Sequence, residues 1–122
     1  MKAKEYLSRA SEHSLQVSVL LYLSLHAKPD IFAFAIPNAG KRSVWAGRRL
    51  KDEGLTPGVA DLCVMLDEGA TGWIEMKTRR GKQSLPQRMF EEMCLKLGHH
   101  YALCRDLPEA IDALRGWGAL KK

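Results

Sequence analysis

Two hydrophobic rhythms divide the chain. Alternation at every second residue marks strands, and recurrence at three and four residues marks helical faces. From Lys4 to Leu25 the two overlap: Leu15, Val17, Val19, Leu21, Leu23 and Leu25 alternate, while Val17, Leu20, Leu21 and Leu25 fit one helical face. The pattern leaves both readings open, and length favours a helix, since strands rarely exceed ten residues. Ile31 to Ile36 is short, aromatic and apolar and runs into Pro37-Asn38-Ala39-Gly40, which predicts a strand and then a turn. Val44 to Glu53 predicts a short basic helix closed by Gly54.

Ala60 to Leu66 and Gly72 to Thr78 read as two strands of a hairpin, joined through Asp67-Glu68-Gly69-Ala70-Thr71. Ser84-Leu85-Pro86-Gln87 has the form of a capping box, with Ser at the cap and Gln three residues on. The helix behind it carries Met89, Phe90, Met93, Cys94 and Leu97 on one face and stops at Gly98. Tyr101 to Cys104 predicts a short strand. Asp106-Leu107-Pro108-Glu109 caps a last helix with Ile111, Leu114 and Trp117. The order α-β-α-β-β-α-β-α predicts a mixed α/β sandwich, a central sheet with helices on both faces.

At 122 residues, 46% hydrophobic and 27% charged, the chain has the size and composition of one globular domain spanning 1–122. No run reaches 18 apolar residues, and the opening MKAKEYLSRASEH lacks an apolar signal core, so neither a membrane nor secretion is expected. Cys63, Cys94 and Cys104 are odd in number and lack a CxxC pair, which argues against a disulfide scaffold and a zinc knuckle and fits a reducing cytoplasm.

Charge changes the picture. Lys41, Arg42, Arg48, Arg49 and Lys51 fall within 41–51, and Lys77, Arg79, Arg80, Lys82 and Arg88 within 77–88, with no acid in either stretch. These segments hold 10 of the 19 cations; the remainder of the chain is acidic. Two basic stretches on an acidic body suit a polyanion, nucleic acid foremost, although two solvated loops would look the same.

The second stretch adjoins a chemical pattern. Asp61 and Glu75 sit on the two strands of the hairpin, and Glu75 and Lys77, two apart, leave the same face of one strand. Folding the hairpin about Gly69 to Gly72 places the Asp61 end opposite Lys77, with Glu75 a step along. Two converging carboxylates repel unless a cation lies between them, and oxygen-only ligands suit Mg²⁺ or Mn²⁺. A phosphodiester is the natural substrate of such a site. As bare spacing, D-x13-E-x-K also describes an exposed hairpin with a Glu–Lys cross-pair.

The surroundings narrow the choice. Glu12, Pro37-Asn38-Ala39-Gly40, Leu50-Lys51, Gly54-Leu55, Gly58-Val59-Ala60-Asp61-Leu62, Ile74-Glu75-Met76-Lys77 and Gln87 follow one another over about residues 12 to 115. In this order they resemble the virus-type replication–repair nuclease domain (VRR-NUC), a branch of the PD-(D/E)XK nucleases with the restriction-endonuclease-like fold. Ala60 departs from the family, which usually has Pro before the aspartate; no ligand is lost. The resemblance implies a helix for the first segment and a Mg²⁺- or Mn²⁺-dependent endodeoxyribonuclease. Asp61, Glu75 and the backbone carbonyl of Met76 would hold the metal, and Glu12 would reach it through water. Lys77 would be the catalytic lysine, and Gln87 would orient a water or Lys77, although a capping-box Gln can equally serve its own helix. Stand-alone members resemble homodimeric phage or prophage enzymes that cut branched DNA, four-way junctions included, in a host cytoplasm. A linear-duplex or single-strand nuclease of the same fold, or a non-catalytic nucleic-acid-binding module, would share most of these features. Asn38, Lys41, Arg42, Arg48, Arg79, Arg80 and Lys82 are the expected DNA contacts. No small-molecule cofactor is expected.

Overall fold

The ambiguous first segment is a helix, α1 (Ala3–His26), in a computed structural model that describes the backbone of residues 3–37 and 44–122 and the side chains of 11–37 and 47–122. The expected contacts Asn38, Lys41 and Arg42 lie outside the described residues. Val19 and Leu23, one turn apart, are buried, whereas Val17, Leu21 and Leu25 emerge on the opposite side. Apolar residues on two faces of one helix produce the strand-like alternation.

The remaining elements follow in the expected order: β1 (Phe32–Ala35), α2 (Val44–Asp52), β2 (Leu62–Met65), β3 (Thr71–Met76), α3 (Leu85–Lys96), β4 (His100–Cys104) and α4 (Leu107–Gly116). The four strands form one mixed sheet in the order β1-β2-β3-β4. The first three are antiparallel, and β3 and β4 are parallel, joined by α3 as the crossover a parallel pair requires. Both strands of the hairpin are shorter than expected, so Asp61 lies just before β2 and Lys77 just after β3.

Alternation along the strands sorts side chains between two layers. On one face Leu62, Val64, Ile74, Met76 and Cys104 bury against Val19 and Leu23 of α1 and Ala110 and Leu114 of α4. On the other, Trp73 meets Phe90 of α3 edge-on at 5.2 Å, and Phe90 lies 6.3 Å from Tyr101. Helices thus cover both faces of the sheet. Among the described residues no helix is long and apolar enough to cross a membrane.

The predicted caps set the helix ends. Ser84 Oγ accepts from Gln87 N while Gln87 Oε1 accepts from Ser84 N, a complete capping box that starts α3. Asp106 Oδ1 accepts from Glu109 N and starts α4. One glycine controls where α3 docks. Gly58 has φ +88°, and a Cβ there would collide with the Pro86 carbonyl and crowd Gln87 N. Gly54 has φ +104° with open space around it.

This contrast yields a test. Gly54→Ala should cost about 1–2 kcal/mol for left-handed backbone alone. Gly58→Ala should cost about 1–3 kcal/mol more, because the first turn of α3 must move. Thermal unfolding followed by circular dichroism compares them; equal losses would show that the contact with Pro86 does not hold α3.

Candidate active site

The hairpin register builds the site. Leu62 pairs with Ile74 and Met65 with Thr71, because the turn centres on Asp67–Gly69, a short 3-10 segment, rather than on Gly69 to Gly72. Continued by one residue, this register sets Asp61 across from Glu75, not across from Lys77 as the sequence suggested. The turn forms there because Glu68 (φ 60°) and Gly69 (φ 76°) both take left-handed backbone. Two bonds fix Asp61: its carbonyl accepts from Ile36 N at 2.8 Å, and its Oδ2 accepts from Met76 N at 2.7 Å. The carboxylate therefore crosses from β2 to the end of β3.

Among the described residues Glu75 is the one buried charged side chain, 2% exposed. It shares its strand face with Trp73, opposite Ile74 and Met76. Burial pushes its carboxyl up to about 9, and the charge of Asp61 and a shared hydrogen bond with Asp61 add to the effect. The Lys77 ammonium opposes the shift, and the Glu12 charge adds to it. Glu75 Oε2 accepts from Gln87 Nε2 at 3.3 Å, and among the described residues Oε1 has no hydrogen-bond partner. Gln87 thus serves its own helix cap and, with the other end of the same amide, donates to Glu75 rather than to Lys77. Ser84 N can only donate, which fixes the amide oxygen on the cap and aims the NH₂ at Glu75.

The structure brings together Asp61, Glu75, Lys77 and Gln87, with Glu12 of α1 near enough to act through its charge. Among the described residues no group of three or more His, Cys, Asp or Glu gathers around one point. The immediate acids are two, Asp61 and Glu75, and Glu75 Oε1 is left without a hydrogen bond among the described residues. Two hard oxygen donors with a raised carboxyl fit a divalent cation such as Mg²⁺ or Mn²⁺.

Arg79, Arg80 and Lys82 are exposed on the loop between β3 and α3, beside Lys77; Arg48 is exposed on α2. Gln83, Tyr101 and Arg105 carry no signal in the sequence yet border the site. Gln83 Nε2 donates to Glu91 Oε1 (2.8 Å) and to Tyr101 Oη (3.1 Å), tying the start of α3 to β4. Burial pushes the Tyr101 phenol far up, so it stays protonated. Arg105 becomes a neighbour of Lys77 only through the parallel pairing of Met76 with Cys104. The histidines are structural or at the surface: His99 bonds Thr71, His100 stacks on Trp117, His26 lies against Tyr22, and His13 is exposed. Cys63, on the same strand face as Glu75, is buried, and burial raises its thiol.

No family model matches the chain, and no curated protein does. Two solved structures share its architecture. One, described as a VRR_NUC domain protein, superposes with a TM-score of 0.74 at 18% identity, covering 88% of this chain and 87% of that one. Another, described as a VRR_NUC domain, gives 0.60 at 15% identity over 88% of this chain and 97% of that one. The chain has the VRR-NUC fold.

The raised Glu75 carboxyl has a consequence for the metal-free protein. Between the ordinary carboxylate range and about pH 9 the folded chain holds a proton that the unfolded chain has lost. This contribution to stability is complete at low pH and disappears as pH rises through about 9. Glu75→Gln, which stays neutral at every pH, removes this pH dependence. In EDTA the variant and wild type should melt similarly near pH 5, with the variant several degrees more stable at pH 8 or above; parallel melting curves across pH would refute the shift.

Proposed function

We propose that the chain is a metal-dependent endodeoxyribonuclease of the VRR-NUC kind that hydrolyses DNA phosphodiesters and prefers branched DNA, four-way junctions included. One observation carries the reading: a fully buried glutamate with an unpartnered oxygen, pressed against a second carboxylate, with a lysine two residues on and a basic loop beside it. A structural ion pair would not need the second acid, and a binding module would not need a buried one.

Asp61, Glu75 and the Met76 carbonyl would hold the ion, with Glu12 behind them through water. A divalent cation there supplies charge to polarise a phosphoryl oxygen and makes water more acidic. The chain does the rest. Met76 N and the β1 ladder hold Asp61 still, and Gln87 holds the Glu75 carboxylate in one rotamer. Lys77 places an ammonium where negative charge grows on the phosphate, the interaction that lowers the barrier most directly. Arg79, Arg80 and Lys82 grip neighbouring phosphates, with Arg48 and the expected contacts Asn38, Lys41 and Arg42 on the preceding segment.

Branch selectivity needs more than one metal site, which sees one phosphate. A homodimer would present two sites at fixed spacing. Leu85, Met89 and Met93 recur every fourth residue on α3 and are exposed, which supports a self-association surface there. We place the enzyme in a reducing cytoplasm, of phage or prophage origin, a reading supported by three buried free thiols and by the resemblance to phage-type members.

Purified protein should nick a four-way junction faster than a matched duplex with Mg²⁺ or Mn²⁺ and not in EDTA. Asp61→Asn and Lys77→Ala should each slow cutting by about 100-fold or more while DNA binding persists. Cutting in EDTA, or variants that cut like wild type, would end the assignment. Equal rates on both substrates would leave a duplex nuclease. For the dimer, a Met89→Glu, Met93→Glu double variant should shift the light-scattering mass from two chains to one and abolish paired junction cuts. A wild-type monomer that still makes paired cuts would contradict it.

A further inference from the structure

The loop behind Lys77 is folded around one guanidinium. Arg105 Nη1 donates to three backbone carbonyls, those of Thr78 at 2.7 Å, Arg79 at 3.2 Å and Gly81 at 2.6 Å. Both ends of this arm are fixed. Arg105 N donates to Glu109 Oε1 at 2.6 Å, within the cap of α4, and the preceding Cys104 carbonyl accepts from Lys77 N at 3.0 Å. The loop is closed on itself by Gly81 N, which donates to the Thr78 carbonyl at 3.1 Å. A Cβ on Gly81 would press against Thr78 Oγ1 and touch the Lys77 side chain.

These bonds hold the loop against like-charge repulsion, to which the Arg105 charge itself adds. Lys77, Arg79, Arg80 and Lys82 lie within six residues and repel one another. A loop with this charge has reason to spread, not to hold a turn. Its carbonyl dipoles instead converge on Arg105, and charge-assisted hydrogen bonds of this kind are about twice as strong as neutral ones. With the carbonyls turned inward, Arg79 and Arg80 stand exposed on the outer side. Nη1 is occupied by these three acceptors and the side chain is half-buried, which suits a brace.

We propose that Arg105 is a positioning residue: it presets the Thr78–Gly81 loop so that Arg79 and Arg80 meet backbone phosphates of DNA beside Lys77. The proposal rests on the nuclease reading for the identity of the anion. It predicts that removing Arg105 costs phosphate contacts that Arg105 does not itself make.

The test is a double-mutant cycle on binding, measured in EDTA by fluorescence anisotropy of a short labelled duplex across a salt series. Arg105→Ala should lower the slope of log affinity against log salt by about two, one unit for each arginine disengaged. The Arg79→Ala, Arg80→Ala variant should lower it by the same amount, and combining all three changes should add nothing. In Mg²⁺, Arg105→Ala should raise KM for DNA with kcat little changed. Arg105→Lys, which keeps the charge but loses the planar fork, should lose about one unit of slope; it carries the test if Arg105→Ala does not fold. Slopes like wild type in folded Arg105 variants would overturn the proposal. So would additive losses, which would mean that Arg105 touches phosphate itself. Wild-type binding without salt dependence would overturn both this proposal and the nucleic-acid reading, a failure distinct from unchanged slopes.

Discussion

Two carboxyl groups forced together at the buried end of a sheet set the terms for the rest of this molecule. Asp61 and Glu75 repel when both are ionised, and Glu75 has almost no water to screen it. Such a pair does not help the chain fold, and the fold has to hold it in place. The work falls to the opposite face of the same strands, where Leu62, Val64, Ile74 and Met76 bury against α1 and α4. Strand β3 therefore has two sides with opposite consequences for stability, and its alternation keeps them apart. Ile74 and Met76 pull the strand into the core, and Glu75 is carried to the site between them.

The supports around the pair are backbone and cap interactions rather than ion pairs. Asp61 is held by Met76 N, Glu75 by the amide of a helix cap, and α3 by close contact of Gly58 with Pro86. Each support has a second duty in the fold. Gln87 starts a helix and bonds an acid; Gly58 turns the chain and admits a helix. The ion pairs among the described residues, Lys28–Asp67, Arg49–Glu53 and Arg115–Asp112, are exposed. Exposed pairs of this sort contribute little. The two carboxyl groups are thus tied to backbone and cap groups, and the basic loop beside them meets solvent.

Likeness to VRR_NUC structures at 15–18% identity is intelligible on the same grounds. Cores tolerate wide apolar exchange while volume and pattern persist, so the sheet and its helices survive replacement of most side chains. What cannot be exchanged freely is the register that sets one acid across from another.

Local chemistry was legible from the chain: the element order, the two helix caps, the glycine stops and the candidate residues Asp61, Glu75, Lys77 and Gln87. The caps and glycine stops depend on neighbours within a few positions, where spacing and side-chain type carry the physics; the candidate residues stood out through an ordered pattern along most of the chain. The first segment showed the limit of periodicity, since apolar residues on two faces of a helix mimic the alternation of a strand; length pointed to the helix, and burial of Val19 and Leu23 shows which face is the core. The partner of Asp61 was misjudged because a hairpin's register depends on which two residues accept left-handed backbone, and both Glu68 and Gly69 did. Arg105, Tyr101 and Gln83 were invisible, because they reach the site only through the parallel pairing of β3 with β4 and the docking of α3. Sequence determined which groups could do chemistry; tertiary structure decided which of them meet, since contacts between distant segments follow from register and packing that no local pattern encodes.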